Sequence, residues 1–301
     1  MVTVNKVHTL TGHKDAVYTL QSGLQPHIVY SSGGDGQVIE WNLADPDSAR
    51  LKATVGASVY AMKLITTHEL LVVAQNYDGI HVIDVANGKA VGSLKIGNFS
   101  YFDIAYKNDL LFVAASDGTI KIIDFKSLQV VDIVRVADQN IRTVIFDAQD
   151  NLIVGASDGG IRVVHFGALA PTQEIAAHDK SVFSLATTPD QQTLISAGRD
   201  ARLKFWDIDG LHPQQEIIAH MYAINSIALR PDGACFATAS MDKTVKIWDL
   251  QQRKLLKVID KARHGGHLTS VNKVVWTGYR DYLVSCSDDR SLAVWDVDIA
   301  K

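Results

Sequence analysis

Four stretches of this chain end alike: Asp35-Gly-Gln-Val-Ile-Glu-Trp41-Asn42, Asp200-Ala-Arg-Leu-Lys-Phe-Trp206-Asp207, Asp242-Lys-Thr-Val-Lys-Ile-Trp248-Asp249 and Asp289-Arg-Ser-Leu-Ala-Val-Trp295-Asp296. In each the Trp stands six residues after the Asp. Three weaker copies lie between the first and second: Asp78 to Ile83-Asp84, one residue shorter, Asp117 to Ile123-Asp124, and Asp158 to Val164-His165. Positions 41, 83, 123, 164, 206, 248 and 295 thus mark seven units at steps of about 42 residues, the period of one propeller blade. The 301 residues are used up by the seven units without a linker. Such a chain must bury the apolar face of each unit against its neighbours.

Each unit holds an alternating apolar run, a turn with Asp and often Gly, and a second run such as Val-Lys-Ile-Trp. Alternation of period two broken by Gly/Asp turns predicts antiparallel hairpins. Helical spacing is nowhere sustained. Pro26, Pro46, Pro171, Pro189, Pro213 and Pro231 are read as lying between the runs, where a missing N–H breaks no ladder. The expected fold is all-β.

From Val4 to Val297 the sequence resembles the WD40 repeat family. Besides the Trp-Asp and Trp-Asn pairs, Gly12-His13, Ala177-His178, Ala219-His220 and Gly266-His267 stand where that family has its Gly-His element. The resemblance implies a seven-bladed β-propeller and, in four blades, a hydrogen-bonded tetrad. The members would be His13, Ser31, Asp35 and Trp41; His178, Ser196, Asp200 and Trp206; His220, Thr238, Asp242 and Trp248; and His267, Ser285, Asp289 and Trp295. The chemistry is coherent, because a buried Trp N–H needs an acceptor, a hydroxyl can accept and donate onward, and a carboxylate can anchor the His. In the other three repeats the hydroxyl position becomes Ala74, Val113 and Val154, and no His precedes the first strand. The set is lost together, as a shared network predicts. Strongly apolar strands there (Leu70 to Ala74, Leu110 to Ala114) are expected to pack in place of the lost bonds, leaving a folded half ring that exchanges its amides somewhat faster.

The chain is expected to form one propeller domain, 1–301, with tetrad repeats around 4–44, 167–209, 210–251 and 252–298 and degenerate repeats around 45–166. The last repeat ends after its third strand at Val297, and the spare segment Val4 to Leu10 is expected to supply that blade's outer strand and close the ring.

Nothing in the pattern recommends an enzyme. The seven turn Asp residues fall one per blade, spread around a ring rather than converging on an ion. The tetrad His residues each have their own Asp. His264 and His267 lack a Cys or acid at metal-site spacing, so no metal and no cofactor is expected. No Gly-x-Ser-x-Gly occurs, and Gly33-Gly34-Asp35-Gly36 lacks the Lys and the following helix of a phosphate loop. Cys235 and Cys286 sit in apolar runs and read as buried thiols.

In WD40 proteins the positions three and five after the His, and the one before the turn Asp, commonly meet partners. The five-after position here gives Tyr18, Tyr60, Phe102, Arg142, Phe183, Asn225 and Asn272; repeats without His are aligned on the residue matching Val17. The turn position gives Gly34, Tyr77, Ser116, Ser157, Arg199, Met241 and Asp288. Four of the first seven are aromatic in a chain with 8% aromatics, an excess that suits an interface centre, although packing on neighbouring blades would select the same residues. The long connection Asp260 to His267 is expected on the same rim, bringing Lys261 and Arg263 toward Arg142 and Arg199.

The expected function is a non-catalytic scaffold that binds a protein or peptide on its upper rim. The partner would carry an apolar anchor and acidic residues. The alternatives are a propeller that binds a small molecule or catalyses in its channel, and nucleic-acid contact through the rim Arg and Tyr. A net charge of −4 disfavours broad nucleic-acid binding. The N-terminus lacks the features of a secretory signal, and no window approaches the ~18 apolar residues of a membrane span. The chain is read as intracellular, cytoplasmic and monomeric.

Overall fold

The computed structural model describes residues 2–165 and 170–299; the expected boundary between repeats at 166–167 lies outside the described residues. The first strand, β1 (Val2–Thr11), stands apart from the sequence of hairpins that follows. Blade 1 comprises β2 (Val17–Ser22), β3 (Ile28–Gly33), β4 (Gln37–Asn42) and β5 (Arg50–Thr54). Blade 2 comprises β6 (Val59–Ile65), β7 (Leu70–Gln75), β8 (Gly79–Asp84) and β9 (Lys89–Lys95). Blade 3 is built from β10 (Tyr101–Lys107), β11 (Leu110–Ala115), β12 (Thr119–Asp124) and β13 (Gln129–Arg135). Blade 4 follows with β14 (Ile141–Phe146), β15 (Leu152–Ala156), β16 (Gly160–Val164) and β17 (Gln173–Ala176). Blade 5 holds β18 (Val182–Thr187), β19 (Thr193–Gly198), β20 (Arg202–Asp207) and β21 (Pro213–Ile218). Blade 6 holds β22 (Ile224–Leu229), β23 (Cys235–Ser240), β24 (Val245–Asp249) and β25 (Leu255–Ile259). Blade 7 has β26 (Val271–Trp276), β27 (Leu283–Ser287) and β28 (Ser291–Ile299), and takes β1 as its fourth strand.

Every blade is an antiparallel sheet of four strands in sequence order, blade 7 excepted, where the order is β26, β27, β28, β1. The register of that junction runs from Val2 opposite Ile299 to Thr11 opposite Ser291, so the expected closing strand extends beyond Val4 to Leu10 at both ends. The first strand of each blade touches that of the next, and β26 returns to β2. These seven strands line the channel.

The core follows from this geometry. Among the described residues there are seven apolar clusters, each shared by two adjacent blades: Ile195, Phe205 and Trp248 join blades 5 and 6, while Leu10, Trp41 and Val284 join blades 7 and 1. The degenerate blades hold the same place with aliphatic residues, Val72 and Leu111 between blades 2 and 3, and Val154 and Val164 beside Phe112 between blades 3 and 4. Cys235 and Cys286 belong to two of these clusters, and burial pushes both thiols up, Cys235 to about 11. Outer strands are mostly exposed, as the last layer of an open sheet must be.

One local reading is corrected. Pro213 is the first residue of β21 and lies within a strand, although as an outer strand it can carry a residue that donates no N–H. Residues Lys261–His264 form a single helical turn, α1, capped at its start by the Asp260 carboxylate accepting from the Arg263 amide and at its end by Gly265 in the left-handed conformation. Among the described residues no helix is long and apolar enough to cross a membrane.

Candidate functional site

All four tetrads form. In blade 5, Trp206 Nε1–H donates to Ser196 Oγ (2.8 Å), Ser196 Oγ lies 2.7 Å from His178 Nε2, and His178 Nδ1 lies 2.8 Å from Asp200. The corresponding links are 2.7, 2.7 and 3.0 Å in blade 1, 2.9, 2.7 and 2.8 Å in blade 6, and 2.9, 2.8 and 2.9 Å in blade 7. Because an indole N–H can only donate, the hydroxyl proton is free for Nε2, and the His must donate from Nδ1 to the carboxylate. Each carboxylate also accepts main-chain amides, Lys14 and Gln37 on Asp35, Met221 and Thr244 on Asp242. Burial opposes the charge on these Asp residues, but the hydrogen bonds outweigh it, so all four lie below the usual carboxylate range, Asp242 and Asp289 farthest. Burial lowers His13 and His220 in spite of their Asp partners, and both rings are neutral near pH 7. The tetrads therefore pin the His loop to the Asp turn on one face of the ring, here the upper face.

Blades 2 to 4 keep the turn Asp and give it another partner. Lys121 Nζ, buried beneath the turn, donates to Asp117 at 2.7 Å and lies over the Phe99 ring at 4.7 Å. Arg162 holds Asp158 with two N–H groups, at 2.8 and 3.1 Å. In the shorter turn of blade 2, His81 approaches Asp78 at 3.8 Å. The first two cations stand four residues after the Asp, a spacing visible in the sequence, where apolar packing alone was expected. The packing is also there: Ala74, Val113 and Val154 are fully buried at the hydroxyl position.

The seven five-after positions share one structural cause. In every blade the register between the first and second strands slips at this residue: Tyr18, Tyr60, Phe102, Arg142, Phe183, Asn225 and Asn272 are each skipped in the pairing. A bulge of this kind re-aims a side chain, and all seven line the central channel. The alignment of the repeats without His on Val17 is matched, since Val59, Tyr101 and Ile141 take the place of Val17 immediately before the bulge.

These residues also contact one another around the channel mouth. Tyr18 meets Tyr60 (ring centroids 4.8 Å), Tyr60 stacks on Phe102 (5.7 Å), and the Arg142 guanidinium lies 3.9 Å above Phe102 and 4.8 Å from Phe183. Burial lowers Arg142 to about 10, which leaves it charged at neutral pH. On the remaining arc, Asn225 donates to Val271 O at 2.9 Å and Asn272 donates to Val17 O at 2.9 Å, amide staples from blade 6 to 7 and from blade 7 to 1. Each side chain is half-buried.

The turn positions behave differently. Tyr77, Arg199 and Met241 project from the upper face, and Tyr77 adopts a left-handed backbone (φ 63°) while its amide donates to Phe99 O across the blade junction. Beside Met241 stand Met221 and Tyr222, both more than half exposed, with Met241 N bonded to Ala223 O and Ser240 Oγ to Tyr222 O. Leu268, equally exposed, occupies on blade 7 the place of Met221 on blade 6, directly after the tetrad His. Met221, Tyr222 and Leu268 were not among the expected residues; the signal was their position in the His loop, one and two residues beyond the His.

The expected approach of Lys261 and Arg263 to Arg142 and Arg199 is corrected. Helix α1 packs against β1, where Lys6 Nζ donates to Gly265 O, and Arg263 is engaged by Asp260 at 2.6 Å. It therefore lies at the outer edge of the ring, whereas Arg142 lines the channel. Among the described residues, no group of three or more His, Cys, Asp or Glu side chains is placed to hold a metal ion.

The family model for WD40 (WD domain, G-beta repeat) matches residues 4–42, 169–207, 211–249 and 257–296, about half of the chain. Those segments are the four with tetrads. No curated protein matches the sequence. Among solved structures, the crystal structure of the WD40 beta propeller domain of Doa1 has a TM-score of 0.84 at 18% identity, covering 97% of this chain and 96% of that one. At this identity the likeness is one of fold.

Proposed function

The chain belongs to the WD40 family, and from that premise we propose that it is a non-catalytic scaffold that binds a protein or peptide on its upper face. WD40 propellers generally serve as protein-interaction scaffolds. The observation that carries the finer reading is the exposed apolar group of Met221, Tyr222 and Met241 on blade 6, with Leu268 exposed at the equivalent place on blade 7. Isolated exposed apolar residues are ordinary, but here three stand on a His loop and an Asp turn that are bonded to each other and fixed from below by a tetrad. Met and Tyr are also the residue types that interfaces favour. A rigid base makes such side chains effective, because little conformational freedom is lost on binding.

The aromatic collar of the channel mouth then takes a supporting part. Tyr60, Phe102 and Phe183 are held by contacts with their neighbours and with Arg142, so they present a preformed surface. Arg199, exposed on the same face, is the residue suited to an acidic group of the partner.

The test is a tagged pull-down from native lysate with mass spectrometry, comparing wild type with a Met221→Ser, Tyr222→Ser, Met241→Ser variant whose melting temperature is unchanged. A protein retained by wild type and lost from the variant supports the reading and names the partner. Identical retention by both baits removes the upper face of blade 6 from consideration. Once a partner is known, Arg199→Glu should weaken it at low salt; equal affinity would delete the acidic clause.

A further inference from the structure

The channel, from the collar downward, encloses a cavity of about 560 Å³, within the range of small-ligand sites. Its wall holds three cations, Lys63 on β6, Arg142 on β14 and Lys273 on β26, against a single carboxylate, Asp103 on β10. That carboxylate is already engaged: one oxygen accepts Thr143 Oγ1–H and the Val144 amide, both at 3.0 Å, and the other accepts the Ile104 amide. None of the three cations has a hydrogen-bond or ion-pair partner among the described residues.

Other well-covered cations of the ring are paired. Lys121 is paired with Asp117, Arg162 with Asp158, Lys52 with Glu40, and Lys246 donates to Ala219 O at 2.6 Å. Arg142 rests against the Phe102 and Phe183 rings, but Lys63 and Lys273 face the cavity with neither a ring nor a carboxylate bonded to them, so an anion there meets two unengaged ammonium groups. Lys63 shows the strain: burial and the charge of Lys273 push its ammonium down, and Asp103 only partly offsets them.

We propose that the channel below the collar binds a compact phosphate-bearing anion, held by Lys63 and Lys273 with Arg142 at its entrance. Three positive charges against one negative leave a deficit that a phosphate dianion fills. Ammonium groups bind phosphate as point charges without demanding a particular orientation. The cavity has room for a phosphorylated polyol as well as for an inorganic phosphate, and the Tyr60 hydroxyl on its wall offers a further donor. This inference is independent of the upper-face reading, because no protein partner enters it.

Calorimetric titration of the full chain at low ionic strength, with inorganic pyrophosphate, myo-inositol hexakisphosphate and succinate, tests it. The expected result is saturable binding of one or both phosphate compounds, with the stronger arm identifying the source. In Lys63→Met, Lys273→Met, binding should weaken by about tenfold or more, since two of three charge contacts are gone. The ligand-free melting temperature of that variant should not fall. Should it fail to fold, Lys273→Gln alone, half-exposed in the channel, serves the same comparison. A Lys14→Met, Lys243→Met control removes exposed upper-face charges and should bind as wild type does. Absence of phosphate binding by wild type, preference for succinate, or equal binding by the channel variants would each overturn the proposal, as would loss of binding in the control.

Discussion

Blades 5, 6, 7 and 1 and blades 2, 3 and 4 are consecutive arcs of one ring built from the same four-stranded antiparallel sheet, yet they secure the turn Asp by opposite means. In the first arc the carboxylate terminates a hydrogen-bonded chain of indole, hydroxyl and imidazole that begins at a buried Trp. In blades 3 and 4 of the second it faces a cation, Lys121 or Arg162, in blade 2 it has only His81 nearby, and the places of Trp and hydroxyl are filled by Ile83, Ile123 or Val164 and by Ala74, Val113 or Val154, all buried. The difference teaches that the tetrad is replaceable as a whole. Exchanging every member for apolar groups of matching shape costs little, whereas exchanging one leaves its partners buried without bonds.

The largest effect is expected where the two ends meet. Deleting residues 1–10 removes Val4 and Leu10 from their clusters and leaves blade 7 with three strands, a loss on the order of 5 kcal/mol. Thermal unfolding followed by circular dichroism checks it; an unchanged Tm would mean that closure contributes nothing and that a tetrad suffices to hold a blade.

Next comes Thr238→Val, which keeps shape and strands both Trp248 Nε1–H and His220 Nε2, at a cost of about 2 kcal/mol. Adding Trp248→Phe should cost less than it does alone, with a coupling of about 1 kcal/mol in a double-mutant cycle. Additivity would break the view of the tetrad as a unit.

In the other arc, Lys121→Met should cost about 1 kcal/mol, because Asp117 keeps its bonds from Thr119 and some contact with water. Hydrogen exchange in β12 and β13 reports it. A loss as large as that of Thr238→Val would show that the ion pair, rather than apolar packing, sustains blade 3.

The smallest effect concerns acid. The folded-state affinities of His13 and His220 for protons are below their unfolded value near 6.5, so their contribution is complete above that pH and is lost as the pH falls toward the folded values. The turn Asp residues, lowered as well, hold on until the carboxylate range is passed. Between pH 7 and 5, amides of blades 1 and 6 should therefore lose protection while those of blade 3, which has no His at the tetrad position, change less. Parallel losses would erase the distinction. Near neutral pH the order reverses, and residues 45–165 should exchange somewhat faster than the rest.

The sequence made the ring legible because its signals are local: the Asp-to-Trp spacing sets each hairpin, and the His, hydroxyl and Asp fall at fixed distances from it. The channel positions were legible for a related reason, since one bulge recurs in every blade. Relations between blades were harder to read. That Asn225 and Asn272 staple neighbouring blades, that Arg142 lies between two Phe rings, and that Lys63 and Lys273 share one cavity all depend on the rotation from blade to blade, which no single repeat encodes. The misplacement of Lys261 and Arg263 has the same origin: their position along the chain was right, and their distance from the axis was decided by β1.

Strand β1 also imposes an order on how the molecule is made. It leaves the ribosome first among the strands described and pairs with β28, nearly three hundred residues later. At ordinary rates of translation it waits on the order of 15 to 60 s. Throughout that time it is a nascent strand with both edges open, in a crowd of other unfinished chains. Asn5, Lys6 and His8, together with the irregularity in pairing between Lys6 and His8, make it a poor template for them while leaving it a good match for its own last strand. Completion of the ring thus acts as a report that synthesis has passed Ile299.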